Sequence, residues 1–416
     1  METERDEVLI IGAGVIGLAC AWYLLRAGRG VRVIDRVGVG AGSSHGNCGT
    51  LTPSHAPPLA APGVLAQGLR GMLHADSPLY VRPRLDPALA GWLWRFARRC
   101  NRRDWLAATQ GRAALLNASR VLIAELVAGQ GLDCEYSSNG LVYAVRDPAR
   151  WRRLQAEADD LRAVGIEVDA WSGEQLLAEE PALLPGVAGG MHFPADAQLR
   201  PDRYVAELAR IVRAAGGVID SGAAVVGIDP DEGELRLDDG RGLRAERIIV
   251  ATGAWTPALL APLGIRAPIQ PGKGYSITYS RPPLVPRRPL VLKDPQVCVT
   301  AWDSGFRLGS TMEFSGYDSR LTPARVEALV RGARQFLKTP EGPQRLETWC
   351  GWRPMTWDDL PLIGPAPRHP RLLLACGHGM LGVSMSAATG QLVADLLCGR
   401  SPCVDPTPYD PVRFRR

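Results

Sequence analysis

Residues 8–36 read VLIIGAGVIGLACAWYLLRAGRGVRVIDR, and this stretch decides the fold. Residues 8–11 form a short apolar run, 12–17 a glycine-rich turn, 18–26 a helical pattern closed by Gly28, and 31–35 a second strand. Strand, helix and strand in this order make a βαβ unit. From Val8 to Leu25 there is no charged residue, which mimics a membrane span, but the glycines in the middle argue for strand, turn and helix. Gly12, Gly14 and Gly17 have the spacing of a dinucleotide fingerprint, with Asp35 at the end of the second strand. The first two glycines let the backbone approach a pyrophosphate, the third lets helix pack on strand, and the helix N-terminus supplies a positive dipole end. Asp35 is placed to take ribose hydroxyls. This motif alone does not distinguish NAD from FAD.

Beyond the βαβ unit, residues 37–63 form a loop of small residues and prolines, VGVGAGSSHGNCGTLTPSHAPPLAAPG, too irregular for an element. A loop of that length inside a compact domain usually binds something. The pattern from 86 to 163 is helical, 190–201 is irregular, and 204–215 is again a helix. Strands are expected at 225–228 and 247–251, the latter entering the turn TGAW, and alternating segments between 270 and 309 predict an antiparallel sheet. A helix follows at 323–337, then the strand LLLAC, a third glycine turn GHGMLG, and a helix at 384–397. Glycine turns near both ends imply a discontinuous domain. The expected architecture is α/β: a discontinuous Rossmann-like dinucleotide-binding domain from 1–85, 190–265 and 345–416, and a second α+β domain with an antiparallel sheet from 86–189 and 266–344.

Composition excludes several classes. With 46% hydrophobic and 22% charged residues in 416, the chain can bury a sizeable core and is not disordered. The net charge of +5 is spread thinly, and only Lys273, Lys293 and Lys338 are lysines, so nothing points to nucleic acid. One local run, WLWRFARRCNRRDW at 92–105, places five arginines beside tryptophans. Leu89, Trp92, Leu93 and Phe96 recur at helical spacing, so a surface helix with a packed face is expected, with peripheral membrane contact as the alternative. Nine cysteines without metal-ligand spacing fit reduced thiols and a cytoplasmic setting. The acidic start METERDE lacks the basic region of a signal peptide.

Six motifs in order, IIGAGVIGLACAWYLLRAG with VIDR, SSHGNCGTLTP, IIVATGAW, KGYS, WRPMTWDDLPLIG and GHGMLGVSM, resemble those of bacterial D-amino acid dehydrogenases. These belong to the larger family that includes glycine oxidase, sarcosine oxidase and D-amino acid oxidase. The SSHGNCGTLTPSHAPP version is also similar to a D-hydroxyproline dehydrogenase branch. The likeness implies FAD as cofactor. It places Gly12, Gly14, Val15, Ile16 and Gly17 at the pyrophosphate, with Asp35 and Arg36 beside the adenosine half. It lays Ser43, Ser44, Asn47, Gly49, Thr50 and Leu51 along the ribityl chain and flavin edge. Val225 matches the strand at the adenine, and Gly253 and Trp255 the turn on the pyrophosphate side. Gly379, Met380, Leu381 and Gly382 form a second anion-binding helix start, whose dipole favours the negative charge of a reduced flavin.

Arg353 aligns with the family arginine that grips the substrate carboxylate through two parallel hydrogen bonds. Tyr275 and His378 are candidates for the substrate side, with a structural role the alternative for each. No Ser/His/Asp set, HExxH, Walker loop or metal cluster is present, and hydride loss from a neutral amine needs no protein nucleophile. The implied reaction is oxidation of a D-amino acid to the imino acid, a D-proline or hydroxy-D-proline included, with electrons passing to a quinone or carrier protein. An oxygen-using amine oxidase of glycine or sarcosine type and a NAD-dependent dehydrogenase are the rivals; oligomeric state is left open.

Overall fold

The computed structural model describes residues 5–64 and 79–414. Residues 1–4, 65–78 and 415–416, which include most of the acidic start and part of the first FAD-domain segment, lie outside the described residues. Five parallel strands form the centre of an eight-stranded sheet, in the order Val218–Ser221, Val31–Asp35, Arg5–Ile11, Gly242–Val250 and His369–Cys376. Leu9, Ile10, Ile248, Ile249, Leu372 and Leu374 have no exposed surface. Burial on both faces is why 8–11, 248–250 and 372–374 read as continuous apolar runs and not as alternations. An antiparallel pair, Val225–Asp229 and Glu234–Leu237, extends the early half of Gly242–Val250.

The helix Val15–Arg26 leaves the first glycine turn and packs against the C-terminal helix Gly382–Cys398. At that crossing a Cβ on Gly390 would stand 2.6 Å from the Ala19 carbonyl, so glycine sets the close approach. The long helix Arg102–Gln130 covers the other side of Gly382–Cys398. First and last segments of the chain therefore share one layer, as the paired glycine turns imply.

A second sheet of nine strands runs Arg345–Met355, Gln270–Tyr279, Gly305–Phe314, Val297–Trp302, Leu290–Leu292, Leu141–Val145, Gly189–Phe193 and Asp169–Ser172, with Leu79–Val81 on Gly305–Phe314. It is antiparallel except where Leu290–Leu292 meets Leu141–Val145 and at the Leu79–Val81 edge. The fold class is thus the expected one: a Rossmann-like layer joined to an α+β half with a largely antiparallel sheet.

Three sequence expectations differ. The helical stretch 86–163 contains Pro87–Arg99, Arg102–Gln130 and Pro148–Ala163, but Leu141–Val145 is a strand buried at every residue. A run of five apolar residues carries no period that separates a buried strand from a helix. Residues 190–201, expected irregular, hold Gly189–Phe193 and the short strand Ala197–Gln198. Arg345–Met355 is not part of the Rossmann-like layer but pairs along Gln270–Tyr279, from Gly272 opposite Arg353 to Tyr279 opposite Arg345. We keep the division into FAD and substrate domains as a proposal, and strand pairing supports placing Gly189–Phe193 and Arg345–Met355 on the substrate side.

Candidate active site

A cavity of about 1250 Å³ is lined by residues of both sheets and by the loop between 41 and 59. Ordinary small-molecule pockets span roughly 300–1000 Å³, so this one has room for a dinucleotide together with a substrate. At one end stands the first glycine turn. Gly12 has φ +110°, and a Cβ there would sit 2.6 Å from the Ala251 carbonyl. Only glycine accepts both conditions. Gly14 caps the helix with φ −76°, and a Cβ would meet only Ser44 Oγ at 3.5 Å, so the space in front of it is cavity. Gly17 does not line the cavity; a side chain there would collide with the Gly12 carbonyl, which is the packing role its position predicts.

Asp35 holds this turn together. Its Oδ2 accepts from the Ala13 amide at 2.9 Å, and its Oδ1 from the Val37 and Gly38 amides, each at 2.9 Å. Asp35 also lines the cavity, at the end expected for a ribose. Arg36 stacks on Trp255 with its guanidinium 4.3 Å from the ring centroid, and Gly253 and Val225 line the same end.

The loop supplies one wall. Ser44 Oγ accepts from the Val15 amide at 3.1 Å, taking one of the orphan donors of the helix start. Ile16 lines the cavity next to it. Ser43 donates to the Trp352 carbonyl, which fixes the loop to the second sheet. Asn47 Oδ1 accepts from the Gly49 amide at 2.7 Å, and its carbonyl accepts from Arg307 Nη1 at 2.6 Å. Thr50 lines the cavity, but Gly49 and Leu51 do not. Gly49 turns with φ +74° where a side chain would collide with the Leu199 carbonyl, and Leu51 is core at 1% exposure.

At the other end the turn carrying Gly379, Met380, Leu381 and Gly382 lines the cavity where the helix Gly382–Cys398 begins. His378, 4% exposed, shares a hydrogen bond of 3.0 Å with Thr389 Oγ1. Burial pushes its imidazolium down to about 3, so it is neutral and a poor base near pH 7. Arg353 lines the cavity, and its guanidinium lies over Gly274, where a side chain would collide with it. Its Nη1 donates to the Thr311 carbonyl at 2.5 Å. That carbonyl is presented by a bulge in which Ser310 and Thr311 have φ of +143° and +62°. Positive φ at two non-glycine residues is strain of the kind held at functional sites. Among the described residues no carboxylate pairs with Arg353. Tyr275 also lines the cavity, but its hydroxyl donates to Glu313 at 2.6 Å and accepts from the Thr322 hydroxyl at 3.1 Å, bonds that fit the structural alternative.

The family model for FAD dependent oxidoreductases matches residues 7–396. The chain belongs to that family. D-amino acid dehydrogenase of Paramagnetospirillum magneticum is 34% identical over 414 residues, covering 95% of each chain. The enzyme of the same name from Rhizorhabdus wittichii is 32% identical over 415 residues, covering 96% of this chain and 98% of the relative. Glycine oxidase from Geobacillus kaustophilus superposes with a TM-score of 0.79 at 24% identity, covering 99% of this chain and 100% of its own, which shows a shared fold.

The residues present fit the cofactor of this FAD-dependent oxidoreductase. The first helix start is built for close backbone approach, and Thr52 Oγ1, His55 Nδ1 and Thr311 Oγ1 are buried in the cavity wall without a partner. Buried polar atoms are rarely left so unless a ligand or water meets them.

Several lining residues are given no role by the sequence reading: Arg112, Tyr143, Lys293 and Cys298, which lie outside the quoted motifs, and Cys48 and His55, which lie inside the loop motif. Arg112 is paired with Asp359 at 3.3 Å, whereas Lys293 has no ion pair among the described residues and lies 4.4 Å from the Tyr143 ring centroid. A helical pattern over 86–163 hid Tyr143, and nothing local marks the others.

Asp196 braces this wall, accepting from the Ser54 amide at 3.1 Å and from the Ser54 hydroxyl. Burial raises its carboxyl to about 7 despite those bonds. The folded value lies above the unfolded one, so this contribution to stability is full below pH ~4 and lost as pH rises through ~7. The difference is at most roughly 4 kcal/mol. Asp196→Asn is expected to shrink the gap in urea midpoint between pH 5 and pH 8; an unchanged gap refutes the assignment.

Proposed function

We propose that this FAD-dependent oxidoreductase dehydrogenates D-amino acids, and the observation that carries the reading is Arg353, a cavity cation without a carboxylate partner. An amino acid brings that carboxylate, and a planar guanidinium takes it in two charge-assisted bonds. The relatives' names support the D configuration. FAD, when bound, supplies the acceptor for the Cα hydride at N5.

The chain's own residues orient and stabilise. Gly12, Gly14, Val15 and Ile16 would hold the pyrophosphate, with Asp35 and Arg36 on the adenosine half. Ser43, Ser44, Asn47 and Thr50 form the wall along the ribityl chain. The start of helix Gly382–Cys398 would turn its positive dipole end toward the ring of the bound cofactor and favour negative charge there. Arg353 fixes the substrate, while neutral His378 offers a polar surface without serving as a base. Tyr275 is a strut for the second sheet. An acyclic imino acid would hydrolyse to keto acid and ammonia, whereas one from D-proline or hydroxy-D-proline would stay a pyrroline. The acceptor we propose is a quinone or carrier protein, not oxygen.

Screening D- and L-amino acids, hydroxyprolines included, with a dye acceptor tests the reading. Turnover of L-amino acids alone, or equal rates with oxygen and dye, would overturn it.

The nine unpaired cysteines support a cytoplasmic setting. We further propose peripheral contact with an anionic membrane through the helix Pro87–Arg99. Leu89 and Trp92 are buried, but Trp94 is 58% exposed, Arg98 stacks on it at 4.8 Å, and Leu85 is fully exposed. Arg99 and Arg102 are paired with Asp104 and Asp160, which limits the free charge. Weak, salt-sensitive flotation with anionic vesicles is expected; no binding at low salt would exclude the contact.

A further inference from the structure

Two of the cavity's thiols are brought together by segments 250 residues apart in the chain. Gly309 stands directly opposite Cys298 across neighbouring antiparallel strands. In such a pair the Cβ positions are roughly 4.5–5.5 Å apart. Gly309 has no Cβ, and Cys48 Sγ occupies that place: a Cβ built on Gly309 would lie 2.5 Å from it. Cys48 therefore reaches from the 43–51 loop into a notch left by a glycine, at the position directly across from Cys298. Both residues are part-buried, both line the cavity, and neither is in a disulfide. Cysteine pairs bridge when their Cβ atoms come within about 3.5–4.5 Å, and the 43–51 loop is the element that would bring Cys48 to that separation.

We infer that Cys48 and Cys298 form a reversible, peroxide-sensitive dithiol whose oxidation ties the 43–51 loop to the wall of the second sheet. The Cys48 thiolate attacks hydrogen peroxide and becomes a sulfenic acid, with hydroxide leaving. The Cys298 sulfur then attacks the Cys48 sulfur, the second hydroxide leaves, and the two thiol protons complete two waters. Two electrons pass from the thiols to the peroxide. The order of attack follows the surroundings: the neighbouring Cys298 thiol and the cations Arg307, which donates to the adjoining Asn47 carbonyl, and Arg353 pull the Cys48 thiol down, whereas Cys48 and burial push Cys298 up against the opposing pull of Arg353. The low-pKa thiolate is the one that peroxide oxidises, and the neighbour resolves it.

The tether would act where it matters, because Cys48 lies between Asn47, whose carbonyl accepts from Arg307, and Gly49, which turns the chain into Thr50 on the cavity wall. Oxidant exposure is thereby coupled to the shape of the site independently of which amine the enzyme oxidises.

The test uses FAD-loaded protein treated with stoichiometric hydrogen peroxide, followed by thiol blocking and peptide mass mapping. The expected result is a loss of two hydrogens in a linked pair of peptides containing Cys48 and Cys298, reversed by dithiothreitol. In the Cys298→Ser holoenzyme, Cys48 should instead be trapped as a sulfenic acid by dimedone, and in Cys48→Ser no sulfenic acid should form at Cys298. If both thiols remain alkylatable after peroxide, or the cross-link joins other cysteines, the inference is overturned. Dimedone labelling at Cys298 in Cys48→Ser, with none at Cys48 in Cys298→Ser, would overturn the order of attack.

Discussion

Gly14→Val is expected to give a folded protein that purifies without flavin. The position tolerates a side chain as far as the protein is concerned: its φ is −76° and the nearest atom to a built Cβ is Ser44 Oγ at 3.5 Å. What a valine occupies is the space in front of the helix start, where a pyrophosphate would touch backbone. Overpacking of that kind costs roughly 3 kcal/mol, or about a hundredfold in affinity. Gly12→Val supplies the contrast, because a φ of +110° and a Cβ 2.6 Å from the Ala251 carbonyl should damage the fold itself. Visible absorbance of the purified proteins, with thermal melts alongside, checks both. A fully flavinated, stable Gly14→Val protein would remove the first turn from the cofactor site.

The first βαβ unit was legible because its strands are buried on both faces and its turn demands glycine at fixed places. The same logic makes Gly49 a different case. It looked like part of a cofactor wall, yet its absent side chain makes room for the Leu199 carbonyl, a neighbour 150 residues away that no local pattern announces. Asp35 was found from its position, but its three backbone donors follow from the turn's closure, not from the motif. The pairing of Arg345–Met355 with Gln270–Tyr279 is not legible because a strand at a sheet edge, with RLETWCGWRPM as its sequence, shows neither a clean alternation nor an apolar run. Tyr143 beside Lys293 is invisible because strand order in the second sheet creates the contact, and Cys48 near Cys298 because a loop packs against Gly309 of that sheet; both are tertiary facts.

Arg353→Met should lower kcat/KM for the best amino acid substrate by about a hundredfold or more, roughly 3 kcal/mol, with FAD content unchanged. The guanidinium sits over Gly274 and gives, from Nη1 alone, a hydrogen bond to the Thr311 carbonyl and a long one to Met312 Sδ, so most of its donors face no protein acceptor among the described residues. Methionine keeps much of the side-chain volume and removes the charge, at the cost of those two contacts. A modest fall in melting temperature is therefore expected, and it must be separated from the kinetic effect. A decarboxylated amine of the same side chain makes the separation. It has no carboxylate to lose, so wild-type and variant should oxidise it at rates within a few-fold of each other, both starting far below the amino acid. The loss should appear chiefly as a raised KM if Arg353 holds the carboxylate equally in ground and transition states, and in kcat if it also sets the angle of the Cα–H bond. Equal losses on both substrates would mean that Arg353 serves the bulge at Ser310 and Thr311, and the carboxylate would then need another anchor, for which Lys293 is the remaining unpaired lysine on the cavity wall.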